Sequence, residues 1–119
     1  MANILICDDS AFIRNRIKDI LKTESHTFLD ANDGMALLRI IGQEKFDCIL
    51  LDINMPNKNG FEVLSELKAL NNSTPVIVLT TDIDNSTKER CLLLGAFDFL
   101  GKPPTTLELL TSIKRAVSK

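Results

Sequence analysis

Short apolar segments alternate along the chain with longer segments in which apolar residues recur at helical spacing. The short segments are rich in Ile, Leu, Val and Cys, and three of them are almost uninterrupted. Such runs are typical of strands that are covered on both faces, as in parallel sheets. We therefore predict strands at residues 4–7, 27–31, 48–51, 76–79 and 97–100.

Helices are predicted between the strands, because apolar residues three or four positions apart form a stripe on one helical face. The clearest stripes, each expected to be buried, are Ile13, Ile17, Ile20 and Leu21, then Val63, Leu64, Leu67 and Leu70, and finally Leu109, Ile113 and Val117. Two segments match the Ser/Thr-x-x-Glu capping box that begins many helices, namely Ser86 with Glu89 and Thr105 with Glu108. Gly42 and Gly95 fall where helices should end.

Five strands alternating with five helices predict an α/β fold of the (βα)5 type. Right-handed crossovers place the strands in one open, parallel, five-stranded sheet between two layers of helices. The strand order expected for this flavodoxin-like three-layer sandwich is 2-1-3-4-5, with a crevice at the carboxyl ends of the strands where the order reverses. A chain of 119 residues has the size of one domain, so we expect a single domain over residues 1–119.

Charge and hydropathy exclude several classes of function. The net charge is −2 and the Lys and Arg residues are scattered, so the basic patch of a nucleic-acid-binding protein is missing and no nucleic-acid partner is expected. The first residues carry two acids after a short apolar run, unlike a signal peptide, and no apolar stretch has the length of a membrane span. We expect a cytoplasmic protein with protein partners and no membrane partner.

Cysteine and histidine are not expected to carry the chemistry of this chain. Cys7, Cys48 and Cys91 are far apart and embedded among Ile or Leu, which is typical of small buried hydrophobic residues rather than disulfides or metal ligands. His26 has no second histidine and no cysteine near it in sequence, so we interpret it as a surface loop residue rather than a metal ligand.

Polar residues follow four of the five predicted strands. Asp8 and Asp9 follow the first strand, Asp52 the third, Thr80 the fourth and Lys102 the fifth. Because parallel strands all point the same way, these side chains should meet at one edge of the sheet. Taken singly, each has an ordinary structural explanation, such as a turn, a helix cap or a solvated charge. Their joint placement at four strand ends favours a functional site.

The chemistry of such a cluster can be derived from its charges. Carboxylates in close proximity repel each other strongly unless a cation is bound. Mg²⁺ is suited to the site, because it takes oxygen ligands and prefers one or two carboxylates together with a phosphate oxygen. Asp8 and Asp9 can hold the metal and leave Asp52 as a nucleophile that forms an aspartyl phosphate. Lys102 and Thr80 can neutralise the phosphoryl oxygens, and Lys102 is expected to pair with Asp52 in the empty site.

The segments around these residues closely resemble the bacterial response-regulator receiver family, and the likeness covers the whole chain. It is carried by Cys7-Asp8-Asp9-Ser10, by Leu-Leu-Asp52-Ile-Asn-Met-Pro56 with Gly60, by Pro75-Val-Ile-Val-Leu-Thr80, and by residues 95–103, which end in Lys102-Pro103. These segments resemble the family's acidic-pair turn, its phosphoacceptor strand and loop, the strand that ends in a hydroxyl residue, and its aromatic Lys-Pro segment. The likeness is to chemotaxis-regulator-like, single-domain members.

The resemblance implies roles for the acidic residues. Asp52 would accept a phosphoryl group, and Asp9, Asp52 and the Asn54 carbonyl would ligate Mg²⁺, for which Mn²⁺ can substitute. Asp8 would contact the metal mainly through water. Asn54 and Asp82 would flank the path of hydrolytic water, and their polar character suggests a short-lived phosphoryl group.

The resemblance also implies a switch. Thr80 and Lys102 would bind the phosphoryl oxygens, and the Lys102-Pro103 peptide bond would be cis. Phosphorylation would draw the Thr80 hydroxyl inward and let Phe99 rotate from an outward to a buried position, which alters the surface of the fourth helix, fifth strand and fifth helix. The alternative to this rotation is that the Phe99 ring simply packs in the core. Thr81 stands where the family commonly has a smaller residue, which suggests hindered access to the site.

The expected partners follow from the same resemblance. The donor would be a histidine kinase or a histidine phosphotransfer protein that docks near the first helix, where Phe12, Ile13 and Arg16 offer an apolar and basic patch. The target would be a separate protein, such as a flagellar motor switch or another relay protein. We expect a monomer that promotes its own phosphorylation and dephosphorylation but is not an enzyme acting on other substrates.

Three other interpretations remain open. The chain can be a receiver domain of a longer regulator with a DNA-binding or enzymatic output, or a receiver-like binding module that is not phosphorylated. It can also be a metal-dependent phosphatase that uses Asp52 as nucleophile on small molecules. The phosphatase is disfavoured because Asn54 stands where a second acid is needed, and because a short chain lacks a lid domain to exclude water.

Overall fold

The computed structural model describes residues 2–118, in which strands and helices alternate from one end to the other. The strands are β1 (Asn3–Cys7), β2 (Thr27–Ala31), β3 (Cys48–Asp52), β4 (Val76–Thr80) and β5 (Asp98–Gly101). The helices are α1 (Ala11–Leu21), α2 (Gly34–Ile41), α3 (Gly60–Ala69), α4 (Asn85–Leu93) and α5 (Thr106–Val117). The predicted alternation is confirmed, and each predicted strand is found within one residue of its expected position.

The five strands form one parallel sheet in the order β2-β1-β3-β4-β5, as predicted. Successive residues of a strand point to opposite faces of the sheet, so the core is divided into two layers. On β1, Leu5 and Cys7 belong to the layer shared with α2, α3 and α4. Ile4 and Ile6 belong to the layer shared with α1 and α5. The chain therefore has the predicted flavodoxin-like three-layer sandwich, with its central strands covered on both sides.

Side chains at the helix starts satisfy the backbone amides that no helical carbonyl can reach. Thr105 and Glu108 form the predicted capping box at the start of α5. The capping box predicted from Ser86 and Glu89 is wrong, because α4 begins at Asn85 and Ser86 already lies inside its first turn. The residue before α4 is Asp84, whose side chain makes no capping hydrogen bond. The Asp82 carboxylate instead accepts hydrogen bonds from the Asp84 amide (3.3 Å) and the Thr87 hydroxyl (2.9 Å).

One residue of the predicted apolar stripes lies outside the core. Leu70 is 63% exposed, although the stripe of α3 predicts its burial. Helix α3 ends at Ala69, and the chain then turns away at Asn71, whose φ angle of 55° lies in the left-handed region. The turn places Leu70 on the surface, while Val63, Leu64 and Leu67 are buried as expected.

The cysteines and the histidine occupy structural positions. Cys7, Cys48 and Cys91 are buried free thiols, as predicted from their apolar neighbours. His26 lies in the partly exposed loop between α1 and β2, where its Nδ1 accepts a hydrogen bond from the Ala2 amide (3.0 Å). Within residues 2–118, every helix is too short or too polar to cross a membrane.

Candidate functional site

Three acidic side chains meet at the carboxyl edge of the sheet, as predicted. Asp8 and Asp9 follow β1, Asp52 is the last residue of β3, and the two strands are hydrogen-bonded neighbours. One carboxylate oxygen from each of the three residues lies within 4.8 Å of the others. Asp8 and Asp52 are buried, with 2% and 6% exposure, whereas Asp9 is exposed. The site thus has an interior side formed by two acids and an open side formed by Asp9.

Lys102 supplies the positive charge of the site. Its Nζ lies 2.6 Å from Asp8 Oδ2 and 3.3 Å from Asp52 Oδ1. The predicted pairing with Asp52 is confirmed, and the shorter contact with Asp8 is an addition to it. The Lys102-Pro103 peptide bond is cis, also as predicted. The Lys102 amide donates a hydrogen bond to the Thr80 carbonyl (2.9 Å), which ties the loop after β5 to the end of β4.

The protonation behaviour of the site reflects the competition between burial and charge pairing. Burial raises the pKa of Asp52, and the nearby Asp8 charge adds to that effect, while Lys102 and a hydrogen bond from the Asn54 amide oppose it. Burial alone would lower the pKa of Lys102, but its hydrogen bond to Asp8 and the Asp52 charge outweigh burial and raise it. Lys102 therefore stays protonated at neutral pH, and its ammonium group contacts two of the three clustered carboxyl groups.

The Asp8 position is held by contacts from several elements. Its amide donates a hydrogen bond to the Ala31 carbonyl (3.1 Å), and its Oδ1 accepts one from the Ser10 amide (2.9 Å). Its carbonyl accepts a hydrogen bond from Arg14 Nη1 (2.5 Å). Arg14 is a residue that sequence reasoning missed, because a contact between a side chain and a backbone carbonyl leaves no pattern in residue types.

Thr80 lies at the end of β4 and is fully buried. Its Oγ1 accepts a hydrogen bond from the Asp82 amide (3.1 Å), so the hydroxyl is connected to the loop that leads into α4. Thr81 and Asp82 are exposed. Strand β4 lies directly beside β3 in the sheet, with Asp52 paired to Leu79, which brings Thr80 to the same edge as the acidic cluster.

Asn54 and Phe99 occupy different surroundings. Asn54 is exposed in the loop after β3. Its backbone amide donates a hydrogen bond to the Asp52 carboxylate, so the structure places Asn54 at the site. Phe99 lies on the edge strand β5 and packs, half-buried, against the core layer of α2, α3 and α4. Its ring is therefore neither fully outward nor fully buried.

Comparison with known proteins decides the family. The model of the response regulator receiver domain matches residues 4–114. The chain belongs to this family. It is the receiver domain of a two-component response regulator, and its strand order and helices are those of receiver domain structures.

Individual relatives agree with the family match. The chain is 37% identical over 114 residues to the transcriptional regulatory protein CpxR of Klebsiella pneumoniae, covering 96% of the chain and 48% of that protein. The structure of the receiver domain of Francisella response regulator 1452 superposes with a TM-score of 0.94 at 29% identity, over 99% of this chain and 98% of that one. The receiver domain thus spans about half the length of the curated relative.

A third neighbour bears on the acidic cluster. The receiver domain of sensor histidine kinase PA1611 from Pseudomonas aeruginosa has a TM-score of 0.90 at 27% identity, covers 99% of this chain and 98% of its own, and was solved with a magnesium ion coordinated in its active site cleft. Receiver domains bind Mg²⁺ at an acidic pocket and accept phosphate from histidine kinases.

The residues of this receiver domain fit Mg²⁺ on chemical grounds. Asp8, Asp9 and Asp52 offer only oxygen donors, which a hard cation prefers. Two of the three acids are buried beside a single Lys ammonium, so the cluster has an excess of negative charge that a divalent cation would balance. Asp9 on the open side leaves a path for the ion from solvent.

Proposed function

We propose that Asp52 is the phosphoacceptor of this receiver domain and that Lys102, Thr80 and a bound Mg²⁺ assist the transfer. The observation that carries the proposal is the convergence of three carboxylates at the sheet edge, two of them in contact with the one Lys102 ammonium group. A structural salt bridge needs only one acid for one lysine. An excess of buried negative charge is costly unless a cation balances it.

The reaction is a displacement at phosphorus. An oxygen of the Asp52 carboxylate attacks the phosphorus of a phosphohistidine, a P–O bond forms and the P–N bond breaks. The electron pair of the broken bond returns to the imidazole nitrogen. A proton from solvent then binds this nitrogen, so that the leaving group is a neutral imidazole. Lys102 is placed to balance charge on the phosphoryl oxygens. The Thr80 hydroxyl accepts a hydrogen bond from the Asp82 amide and retains its own hydrogen for donation to the phosphoryl group.

Asp9, Asp52 and the Asn54 carbonyl would hold the metal ion, Asp8 would act on it mainly through water, and Mn²⁺ could replace Mg²⁺. The ion supplies positive charge that lowers repulsion between the acids and the incoming phosphoryl group. Asp8 is suited to an indirect role, because its two carboxylate oxygens already accept hydrogen bonds from the Ser10 amide and from Lys102.

Asn54 and Asp82 set the lifetime of the phosphoryl group in this proposal. Both are exposed polar residues, one beside Asp52 and the other two residues after Thr80. We expect Asn54→Leu and Asp82→Leu to slow dephosphorylation, because each removes a group that can orient hydrolytic water. Following the loss of the phosphoryl group over time in both variants and the unchanged chain tests this, and unchanged lifetimes would reject it.

The output is a change in the face formed by α4, β5 and α5. Thr80 turns toward the phosphoryl group, Phe99 becomes fully buried, and a separate protein recognises the new surface. A flagellar motor switch or another relay protein is the target, which would give the chain a role in chemotaxis or in a phosphorelay. The donor docks at α1, where Phe12 is 73% exposed beside the exposed Arg16.

A second candidate is favoured by the length of the curated relatives. Because the chain spans about half of a relative that is named a transcriptional regulatory protein, the receiver domain can also serve within a longer regulator. In that case the same α4, β5 and α5 face would control an output domain in the same protein. The expectations of no nucleic-acid partner and of a cytoplasmic monomer remain predictions for the chain alone.

The proposal is tested with beryllofluoride, which mimics a phosphoryl group on a carboxylate. We expect its addition with Mg²⁺ to shift the nuclear magnetic resonance signals of Thr80 and Phe99 in the unchanged chain but not in Asp52→Asn. Signals that do not respond in either protein would support a binding module that is not phosphorylated. Turnover of generic phosphoesters by the unchanged chain would instead support the phosphatase.

A further inference from the structure

We propose that Arg14 is a positioning residue for the metal site, because it fixes the peptide between Asp8 and Asp9 and thereby the direction of the Asp9 carboxylate. The inference rests on the proposed Mg²⁺ site. Arg14 lies in the first turns of α1, outside the acidic cluster, and its side chain is only 14% exposed. An arginine that is largely buried and bonds to the backbone of the site is more than a solvated surface charge.

The Arg14 guanidinium connects two strand ends. Its Nη1 donates to the Asp8 carbonyl (2.5 Å), and its Nε donates to Asp30 Oδ2 on β2 (2.9 Å). Lys18, one helical turn further along α1, contacts the other Asp30 oxygen (2.6 Å). Asp30 therefore holds the Arg14 side chain in the orientation in which Nη1 reaches the Asp8 carbonyl oxygen.

The Asp8 carbonyl belongs to the peptide that leads into Asp9, so a rotation of that peptide would redirect Asp9. The Asp8 side chain has its own anchors in the Ser10 amide and Lys102, whereas within residues 2–118 the Asp9 carboxylate has no hydrogen bond or ion pair. Its position depends on the backbone alone. Arg14 is the one side chain seen to hold that peptide among the described residues.

The charge of Arg14 and its hydrogen bond to the Asp8 carbonyl have opposite effects on Mg²⁺ binding, and this makes the inference testable. A guanidinium close to the acidic cluster repels a divalent cation, so removal of its charge alone would strengthen Mg²⁺ binding. Loss of the hydrogen bond to the Asp8 carbonyl would weaken Mg²⁺ binding, because the ligand set is no longer preorganised. The sign of the change in affinity distinguishes the two effects.

The experiment is a calorimetric titration of MgCl₂ into the full chain and three variants. We expect Arg14→Met to weaken Mg²⁺ binding roughly tenfold, as is usual when a group that orients a metal ligand is lost. Arg14→Lys keeps a hydrogen-bond donor for the Asp8 carbonyl but not the two-pronged geometry that also reaches Asp30, so it should give a smaller loss in the same direction. Lys18→Met removes a cation from the same Asp30 without touching Asp8 and should leave the affinity within about twofold.

Circular dichroism without metal shows that each variant is folded before it is titrated, and Arg14→Lys carries the test if Arg14→Met does not fold. Equal or tighter Mg²⁺ binding in a folded Arg14 variant would overturn the inference and leave the metal site intact. Equal losses in the Arg14 and Lys18 variants would also overturn it, because they would indicate a general effect of α1. Failure of the unchanged chain to bind Mg²⁺ would overturn the metal site and the inference together.

Discussion

Asp52 shows how one residue can be unfavourable for the fold and necessary for the site. Its carboxylate is buried beside Asp8, and burial is the main reason that its pKa is raised. Lys102 relieves part of this cost, but Lys102 lies closer to Asp8 than to Asp52. The charged form of Asp52 is therefore less favourable in the folded chain than in the unfolded one.

We predict that Asp52→Asn stabilises the metal-free chain at neutral pH. A carboxyl group with a raised pKa binds its proton more tightly in the folded chain than in the unfolded chain. The stability of the unchanged chain therefore falls as the pH rises from 3.8, the ordinary pKa of an aspartate, through the raised pKa of Asp52. The variant has no such group, so its advantage in free energy of unfolding, and with it in midpoint temperature, should grow over that range.

Thermal unfolding followed by circular dichroism between about pH 4 and pH 8, with a chelator present, measures this difference. Asp19→Asn, which alters an exposed acid on α1, is the control and should change stability by less than about 0.5 kcal/mol. A variant less stable than the unchanged chain at neutral pH would show that Asp52 is well compensated without metal.

At the scale of elements, α4 is connected to the site through its first turn. The Asp82 amide donates to the Thr80 hydroxyl, and the Asp82 carboxylate accepts from the Thr87 hydroxyl. A movement of Thr80 therefore reaches α4 through one intervening residue. On its other side α4 is held to α3 by Arg90, whose guanidinium carbon lies 3.8 Å from the centre of the Phe61 ring.

We predict that Thr87→Val destabilises the chain whereas Ser86→Ala does not. Valine keeps the branched shape of threonine but loses the hydroxyl that bonds to Asp82, which should cost about 0.5–1 kcal/mol at this half-buried position. Ser86 lies inside the helix, where alanine is the better helix former, so its replacement should be neutral or slightly stabilising. Urea unfolding of both variants measures the difference. The reverse order would restore Ser86 as the helix cap.

Most elements could be predicted because their patterns depend on local chemistry. Strands such as β3 and β4 are continuous apolar runs, and the topology of a parallel sheet then brings Asp8, Asp52 and Lys102 to one edge without any knowledge of contacts. The start of α4 was not predictable in the same way. Ser86 and Asp84 are equally good capping types, and only the path of the loop decides that α4 begins directly after Asp84.

Contacts that depend on tertiary geometry also escaped prediction. The burial of Leu70 was predicted from its spacing, but the spacing does not show that the chain turns at Asn71. The bond from Arg14 to the Asp8 carbonyl is specified by the approach of α1 to β1, which residue types do not encode. The sheet and the acidic residues could thus be predicted, and the groups that orient them could not.

For the whole molecule, the acidic edge couples stability to the metal. The three carboxyl groups are brought together only when the chain is folded, so we expect Mg²⁺ to bind the folded state in preference to the unfolded one. Any such ligand raises the free energy of unfolding with the logarithm of its free concentration relative to its dissociation constant, and the unfolding temperature rises accordingly. The net charge of −2 contributes little by itself, because it is spread over the whole chain.

We predict that Mg²⁺ at about ten times its dissociation constant stabilises the chain by roughly 1.4 kcal/mol. The effect should be small or absent in Asp9→Asn, because that variant loses the acid on the open side of the site. Thermal unfolding with MgCl₂, compared with NaCl at equal ionic strength, separates binding at the site from general screening. Equal effects of the two salts would contradict a specific site.

The most direct measurement of the central claim is mass spectrometry of the chain after incubation with acetyl phosphate and Mg²⁺. We predict the addition of one phosphoryl group per chain, located at Asp52 by peptide mapping, dependent on Mg²⁺ and absent from Asp52→Asn. An unmodified chain under excess donor, or a phosphoryl group on another residue while Asp52 stays unmodified, would contradict the claim.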